Sequence, residues 1–224
     1  MIRAVLFDVD GTLMDNNMLH IQAWKEAFKP YKDFDDADLL RYVGMGSDTY
    51  VQSLAPDLDP AGRDAIRDRK REIYKVIGAK AAPFAGARAA LDAAHQKGLA
   101  IALASSANRV EIERYIALMD VASLLSAVTT ASDVARTKPE PDLFLAALDK
   151  LNVSPAEAFV VGDTPYDVQA ASQAGMPTVA VLSGGFAGPT LEAAGAVMVL
   201  QDVGELAERL DEVVSRLETR ATRG

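Results

Sequence analysis

The sequence holds no cysteine in 224 residues. Disulfides, thiolate metal sites and a cysteine nucleophile are therefore excluded. Histidine is almost as scarce, with only His20 and His95. A metal would have to be held chiefly by carboxylates and carbonyls. Cations are outnumbered: 23 Lys and Arg stand against 32 Asp and Glu, a formal net charge of −9. An overall charge of this sign argues against nucleic acid or an anionic membrane as partner, but not against a local basic cluster that receives a phosphate. No apolar run approaches the roughly 18 residues that span a bilayer. Met1-Ile2-Arg3 leads straight into Ala4-Val5-Leu6-Phe7, too short a run for a signal-peptide core, so the chain reads as cytoplasmic. With 50% apolar and 25% charged residues, it has globular rather than disordered composition. The oligomeric state has no signature in the sequence.

Four short apolar runs stand out: Val5 to Phe7, Leu99 to Ala104, Phe159 to Val161 and Thr178 to Leu182. They lack polar alternation, as strands buried on both faces do. Leu124 to Thr129 is a weaker run, and Ala196 to Leu200 suits an edge strand. Helix patterns lie between them. Ala85 to Lys97 stops at Gly98, Asn108 to Leu118 has helical spacing, Glu140 to Leu151 opens on an acidic turn with Pro141, and Asp167 to Ala174 stops at Gly175. Alternation of this kind implies an α/β fold, a doubly wound parallel sheet built from right-handed βαβ units. Residues 15 to 81 break the pattern. They read as helices only, over Met18 to Phe28, Asp36 to Tyr42, Asp48 to Leu54 and Pro60 to Ile77. The expectation is a core of residues 1–14 and 82–224, with a helical cap of 15–81 inserted after the first strand.

Phe7-Asp8-Val9-Asp10-Gly11-Thr12 closes the first strand. Alternate side chains share a face, so Asp8 and Asp10 project together at its carboxyl end. Two carboxylates there call for a cation or protons in compensation. In open α/β sheets that edge is also where ligands bind. Gly11 permits an unusual turn whose amides would face an anion. The second long run ends in Ser105-Ser106-Ala107-Asn108, donors suited to phosphate oxygens that also suit a helix cap. Arg136-Thr137-Lys138-Pro139 sets a cation ahead of a helix. Phe159-Val160-Val161-Gly162-Asp163 runs a buried strand into an acid that reaches the same crevice as Asp8. Asp167, four residues on, either opens the next helix or adds a further carboxylate. The basic stretch Arg63 to Lys75 either steers substrate or is a solvated face paired with Asp64, Asp68 and Glu72.

In this order, on successive strands, these pieces resemble the haloacid dehalogenase superfamily of phosphohydrolases. The branch they are most similar to is the capped one that holds phosphoglycolate phosphatases and β-phosphoglucomutases. Leu13-Met14-Asp15 with His20, Trp24 and Phe28 resembles that branch's first cap helix. Val43-Gly44-Met45-Gly46-Ser47-Asp48 resembles its substrate-facing loop, and Pro83-Phe84-Ala85-Gly86 its return to the core. The resemblance implies Asp8 as nucleophile and Asp10 as general acid and base. It implies Gly11, Thr12, Ser105, Ser106 and Lys138 around the phosphate, and His20, Trp24, Gly44, Met45, Gly46 and Ser47 on the cap side of the substrate. Mg²⁺ would lie on Asp8, the Asp10 carbonyl and Asp163, with Asp167 direct or through water. The substrate implied is a small phosphate monoester.

Three positions depart from the pattern. Asn16 stands where a Ser is common, the cap loop carries no Arg or Lys, and the two acids of the last motif are four residues apart. The lack of a cationic loop favours a phosphatase over a β-phosphoglucomutase-type mutase, with Arg41 as a nearby substitute. A catalytically silent binding protein on the same fold would be expected to have lost Asp8, Asp10, Lys138 or Asp163. A phosphonatase would need a cap lysine, for which Lys25, Lys29 and Lys32 are available.

Overall fold

A computed structural model describes residues 1–221. The first strand, β1 (Ala4–Phe7), ends at the motif and is followed by a two-residue strand, β2 (Met14–Asp15). Helices α1 (Asn17–Phe28), α2 (Asp36–Leu40), α3 (Ser47–Leu54) and α4 (Pro60–Ile77) form the insertion, and β3 (Ala82–Pro83) returns from it. The core then continues through α5 (Ala87–Gln96), β4 (Ala100–Ala104), α6 (Arg109–Met119), β5 (Ala127–Thr129), α7 (Asp142–Leu151), β6 (Ala158–Gly162), α8 (Pro165–Gln173), β7 (Thr178–Val181), α9 (Gly188–Ala194), β8 (Met198–Leu200) and α10 (Val203–Ala221).

The sheet is six-stranded and parallel, in the order β5-β4-β1-β6-β7-β8. The chain builds outward from β1 on one side through β4 and β5, then crosses back and builds through β6, β7 and β8. The winding therefore reverses at β1, and a crevice opens at the carboxyl ends of β1, β4 and β6. All four residues of β1 are buried. Its alternation sends Val5 and Phe7 into the apolar layer beneath α5, α6 and α10, and Ala4 and Leu6 into the layer beneath α7 and α8. Burying one Leu or Phe side chain contributes about 1.5–3 kcal/mol. A strand that does so on both faces is a stiff base for the two carboxylates that follow it.

The insertion has an apolar cluster of its own, which includes Ile21, Trp24, Phe28, Leu39, Tyr50 and Ile66. Trp24 stacks on Tyr50 with ring centroids 4.4 Å apart, and Phe28 meets Phe34 edge-on at 5.1 Å. Two chain crossings join it to the core side by side. Met14 pairs with Pro83 and Asp15 with Ala82 in an antiparallel ladder, and Phe84 N–H donates to the Leu13 carbonyl at 2.9 Å.

Several boundaries differ from the sequence reading. Helix α7 begins at Asp142, with Pro141 as its cap. Helix α8 begins at Pro165, which places Asp167 in its first turn, where it completes a capping box with Thr164. Strand β5 holds only Ala127–Thr129, because residues 122–124 coil into a 3₁₀ turn. Helices α9 and α10 were not anticipated. The last is amphipathic, and its Val203, Leu206, Leu210, Val213 and Leu217 cover the sheet. No helix among the described residues is long and apolar enough to cross a membrane.

Candidate active site

Asp8 follows β1 directly and is 4% exposed. Its Oδ1 pairs with Lys138 Nζ, and Lys138 also lies 2.8 Å from Asp167 Oδ1. Lys138 is 1% exposed, with its ammonium 5.2 Å from the Phe144 ring centroid. Asp163, at the end of β6, is fully buried. It accepts from Thr12 Oγ1 at 2.7 Å and from Asn17 Nδ2 at 3.2 Å. Asp167 accepts from the Thr164 amide at 3.0 Å and from its hydroxyl at 2.7 Å.

Asp8, Asp163 and Asp167 each offer an oxygen, all within 4.8 Å of one another. The electrostatics follow from that crowding. Burial pushes the Asp8 carboxyl well above the usual range; Lys138 pulls it down, while Asp167, Asp163 and Asp10 push it further up. Asp163 is pushed up to about 7, first by burial and then by Asp167, against the Thr12 and Asn17 hydrogen bonds and the Lys138 charge. Burial also disfavours the Lys138 ammonium, but Asp167 and Asp8 outweigh it and raise the lysine above its ordinary value. Three buried carboxylates thus share one ammonium, and the set is short of positive charge. The Asn17 side-chain oxygen is buried beside them without a partner. An all-oxygen donor set with excess negative charge fits a hard divalent cation.

Asp10 turns elsewhere. Its carboxylate takes a short bond from Asn16 Nδ2, lies 3.2 Å from His20 Nε2 and accepts from Ser105 Oγ at 3.2 Å. Burial works against its ionisation. Hydrogen bonds from His20 and Asn16, with the charges of His20 and Lys70, nevertheless bring it down to about 2. His20 is stacked on Tyr74 at 4.0 Å and has Lys70 Nζ 3.1 Å from its Nδ1. Burial lowers the proton affinity of that lysine.

A cavity of about 870 Å³ lies between core and insertion, bordered by Asp8 and Asp10 from the core and by Trp24, Met45, Ser47 and Lys70 from the insertion. The insertion is closed down on the core. Ser106 Oγ donates to the Gly44 carbonyl at 3.3 Å, the Gly46 amide to the Lys138 carbonyl at 3.3 Å, and Tyr166 OH to the Arg41 carbonyl at 2.6 Å.

A profile described as haloacid dehalogenase-like hydrolase matches residues 5–181. The chain belongs to that family. Among relatives, the phosphoglycolate phosphatase of Xylella fastidiosa is 29% identical over 185 residues, 81% of this chain and 81% of its own. The β-phosphoglucomutase of Bacillus subtilis is 29% identical over 194 residues, 82% of this chain and 84% of its own. The crystal structure of a hydrolase from Pseudomonas syringae superposes with a TM-score of 0.89 at 28% identity, covering 95% of this chain and 99% of that one. This haloacid dehalogenase-like chain is thus an enzyme of the phosphatase or phosphomutase kind.

The residues singled out in the sequence fall into distinct groups. Asp8, Lys138, Asp163 and Asp167 form one cluster, and Asp10, Ser105 and His20 another beside it. The side chain of Asp10 is not part of the acid cluster. Gly11 and Thr12 contact the chain itself in this structure. The Gly11 amide donates to the Met14 carbonyl and to Asn16 Oδ1, and the Thr12 hydroxyl is taken by Asp163. Gly11 has φ +80°, and a Cβ there would overlap both Asn17 and Asp163. The glycine is what lets the turn approach the acid cluster.

The cap loop is also less open than its sequence suggests. Gly44, Met45 and Ser47 border the cavity, but the amides of Met45 and Gly46 donate to Tyr42 and Lys138 carbonyls. Arg41 does not border the cavity, whereas Arg67 and Arg71 do. Each is held by acids, Arg67 by Asp48 and Asp64 and Arg71 by Asp68. Lys25 pairs with Asp36, Lys29 with Glu26, and Lys32 lies over Phe34, all away from the cavity. Sequence reasoning missed Asn17, Lys70, Tyr74 and Tyr115. Asn16 stands out in the sequence only as a departure from the family's pattern. Lys70 sat within the basic stretch already noted, but nothing in its spacing separated it from the solvated arginines.

Gly46 has ordinary φ and ψ of −63° and 150°, so alanine suits its backbone. An added Cβ would nonetheless overlap Thr137 Oγ1, across the junction with the Lys138 loop. Gly46→Ala should leave stability intact and lower kcat/KM by about 10- to 100-fold, because displacement near 1 Å at a closing site has that cost. Steady-state kinetics check this, with partial recovery expected in the Gly46→Ala, Thr137→Ala double variant.

Proposed function

We propose that the enzyme is a Mg²⁺-dependent phosphatase that hydrolyses a small phosphate monoester through a phosphorylated Asp8. The observation that carries this reading is the buried cluster in which Lys138 bridges Asp8 and Asp167, with Asp163 in the same cluster. A carboxylate attacks a phosphate dianion only where cations offset the mutual repulsion. Asp8, Asp163 and Asp167 would hold the Mg²⁺, which when bound would neutralise charge on the transferring phosphoryl group.

The chain's own groups divide the remaining work. The Asp8 carboxylate oxygen forms a bond to phosphorus as the bond from phosphorus to the ester oxygen breaks. Asp10 gives a proton to the departing alkoxide. It then takes one from the water that attacks phosphorus, and the bond between phosphorus and Asp8 breaks to release inorganic phosphate. Despite burial, Asp10 is held low by His20 and Asn16, so it is ionised and free to take that proton. In the first half the arriving phosphate raises Asp10's proton affinity, since nearby negative charge disfavours a carboxylate. Lys138 holds a phosphoryl oxygen, as do the Ser105 and Ser106 hydroxyls once they leave Asp10 and Gly44. The cap of residues 15–81 closes on the crossings at Met14–Asp15 and Ala82–Pro83 and shuts out bulk water.

Hydrolysis is favoured over mutase chemistry by the charge on the insertion's side of the cavity. A mutase must grip a second, non-reacting phosphate, commonly with a bidentate arginine. Here Gly44 to Ser47 carry no charge, Arg67 and Arg71 are already held by carboxylates, and Lys70 offers a single ammonium turned to His20 rather than a bidentate fork. One experiment tests both points. With Mg²⁺, a panel of sugar phosphates, glycerol phosphates and phosphoglycolate should release phosphate, and chelation should abolish the release until Mg²⁺ is restored. With β-glucose 1-phosphate and a trace of the 1,6-bisphosphate, glucose 6-phosphate forming faster than phosphate would overturn the hydrolase reading. Undiminished activity after chelation would remove the metal.

A further inference from the structure

Behind Asp10 lies a pair of hydroxyls that the phosphatase reading does not use. Tyr74, on α4 of the insertion, and Tyr115, on α6 of the core, bring their hydroxyl oxygens to 2.8 Å from each other. Both rings are buried, and neither borders the cavity. The side-chain nitrogen of Asn16 lies 3.2 Å from the Tyr74 hydroxyl and 3.1 Å from that of Tyr115. The same nitrogen donates to Asp10 Oδ1. On its other side the Asn16 oxygen accepts from the Gly11 amide at 3.3 Å, which fixes the orientation of the amide group.

An amide nitrogen has two hydrogens. With one directed at Asp10, the other is shared between the two tyrosine oxygens. Phenylalanine would fill these sites as well for burial alone, and burying a hydroxyl is costly unless its hydrogen bonds are made. The hydroxyls, rather than the rings, therefore need an explanation. Burial, and after it the Asp10 charge, push both phenols upward, Tyr115 to about 12, so both remain neutral hydrogen-bonding groups.

We propose that Tyr74 and Tyr115 are positioning residues for Asp10 that act through Asn16. Their hydroxyl pair engages one N–H of the amide and leaves the other aimed at the Asp10 carboxylate, setting its direction toward the leaving oxygen. One hydroxyl comes from the insertion and one from the core, so the pair forms only when α4 sits against α6. Asp10 is then fully oriented only when the insertion is seated. The proposal rests on the reading of Asp10 as proton donor to the leaving group.

The test uses Tyr74→Phe, Tyr115→Phe and the double variant in the full-length protein with Mg²⁺. Each is measured as kcat/KM on glycerol 3-phosphate and on p-nitrophenyl phosphate. This ratio reports the steps up to departure of the leaving group, so the later attack of water does not enter. Glycerol must be protonated as it leaves, whereas p-nitrophenolate departs unaided. A loss of about five- to tenfold on glycerol 3-phosphate is expected for each single variant, the effect of one lost hydrogen bond. The rate on p-nitrophenyl phosphate should stay within about twofold, and the double variant should be little worse than the singles, since the pair acts as a unit. Equal losses on both esters would show a merely structural role and overturn the proposal, as would no loss on either. A wild-type enzyme that releases phosphate from no ester of the panel above would instead sink the phosphatase reading, and this proposal with it.

Discussion

Replacing Asp8 with asparagine should abolish turnover, with a loss on the order of 10⁴-fold or more, as for other enzymes deprived of their nucleophile. The amide keeps the shape of the carboxylate but cannot form the phosphoenzyme. The fold should survive, and the electrostatics say why. Burial and the neighbouring acids hold the Asp8 pKa well above its unfolded value. A carboxyl with a raised folded pKa binds protons more tightly in the folded state, so its ionisation opposes folding increasingly as pH rises above the ordinary carboxylate range. Asp8→Asn removes that opposition, and Lys138 keeps Asp167 as partner at 2.8 Å. In chelator at pH 7 to 8, the variant's thermal midpoint should equal or exceed the wild type's. A midpoint well below it would mean that the Asp8–Lys138 pair, rather than carboxylate repulsion, dominates this site. Residual turnover above about 1% of wild type, by phosphate release, would remove Asp8 from the nucleophile's role.

Lys138→Met is the second large effect, and it should strike both stability and activity. Methionine retains most of the apolar stem, so lost volume is a minor factor. The lost charge is the major one. Asp8 and Asp167 would be left buried with Asp163 close by and no ammonium among them. Removing one partner of a buried ion pair costs about 3–5 kcal/mol, and here the lysine serves two carboxylates. Urea denaturation in chelator should show a deficit of that size near neutral pH. The deficit should shrink as the pH falls, because the stranded carboxylates take up protons. It should shrink also in millimolar Mg²⁺, a cation able to replace part of the missing charge. Turnover should fall by about 10²–10³-fold or more, the range for removing one donor to a developing charge. Unchanged stability would mean that the acids are stabilised by something other than Lys138.

How much was legible in advance varies with the range of the interaction. The strands of the core showed themselves because each is short, apolar and bounded. Being buried on both faces, β1, β4, β6 and β7 cannot tolerate polar alternation. The helix stops at Gly98 and Gly175 follow from backbone freedom and were equally plain. The start of α8 was misjudged by two residues because the Thr164–Asp167 capping box is reciprocal, and Asp167 was weighed only as a helix opener or a ligand. The structure gives it a cap and a place beside Lys138 at once. α10 escaped notice because its apolar positions follow an amphipathic pattern whose meaning depends on the sheet it covers.

The sequence by itself determined which chemistry is available. The lack of cysteine, the paucity of histidine, and acids placed at the ends of buried strands left oxygen ligands for any metal, carboxylates able to act as nucleophiles and one well-placed lysine. Those are properties of residue type and local period, and no distant part of the chain alters them. Only the tertiary structure decided which partner each group has. Residues 8, 163 and 167 converge because the winding reverses at β1 and sets β6 beside it, and the loop after β5 carries Lys138 across to them. Asn16, Tyr74 and Tyr115 meet because α4 of the insertion folds back onto α6 of the core. A one-dimensional pattern encodes period and propensity, whereas a hydrogen bond between residues 41 positions apart exists only once the loops between them have closed.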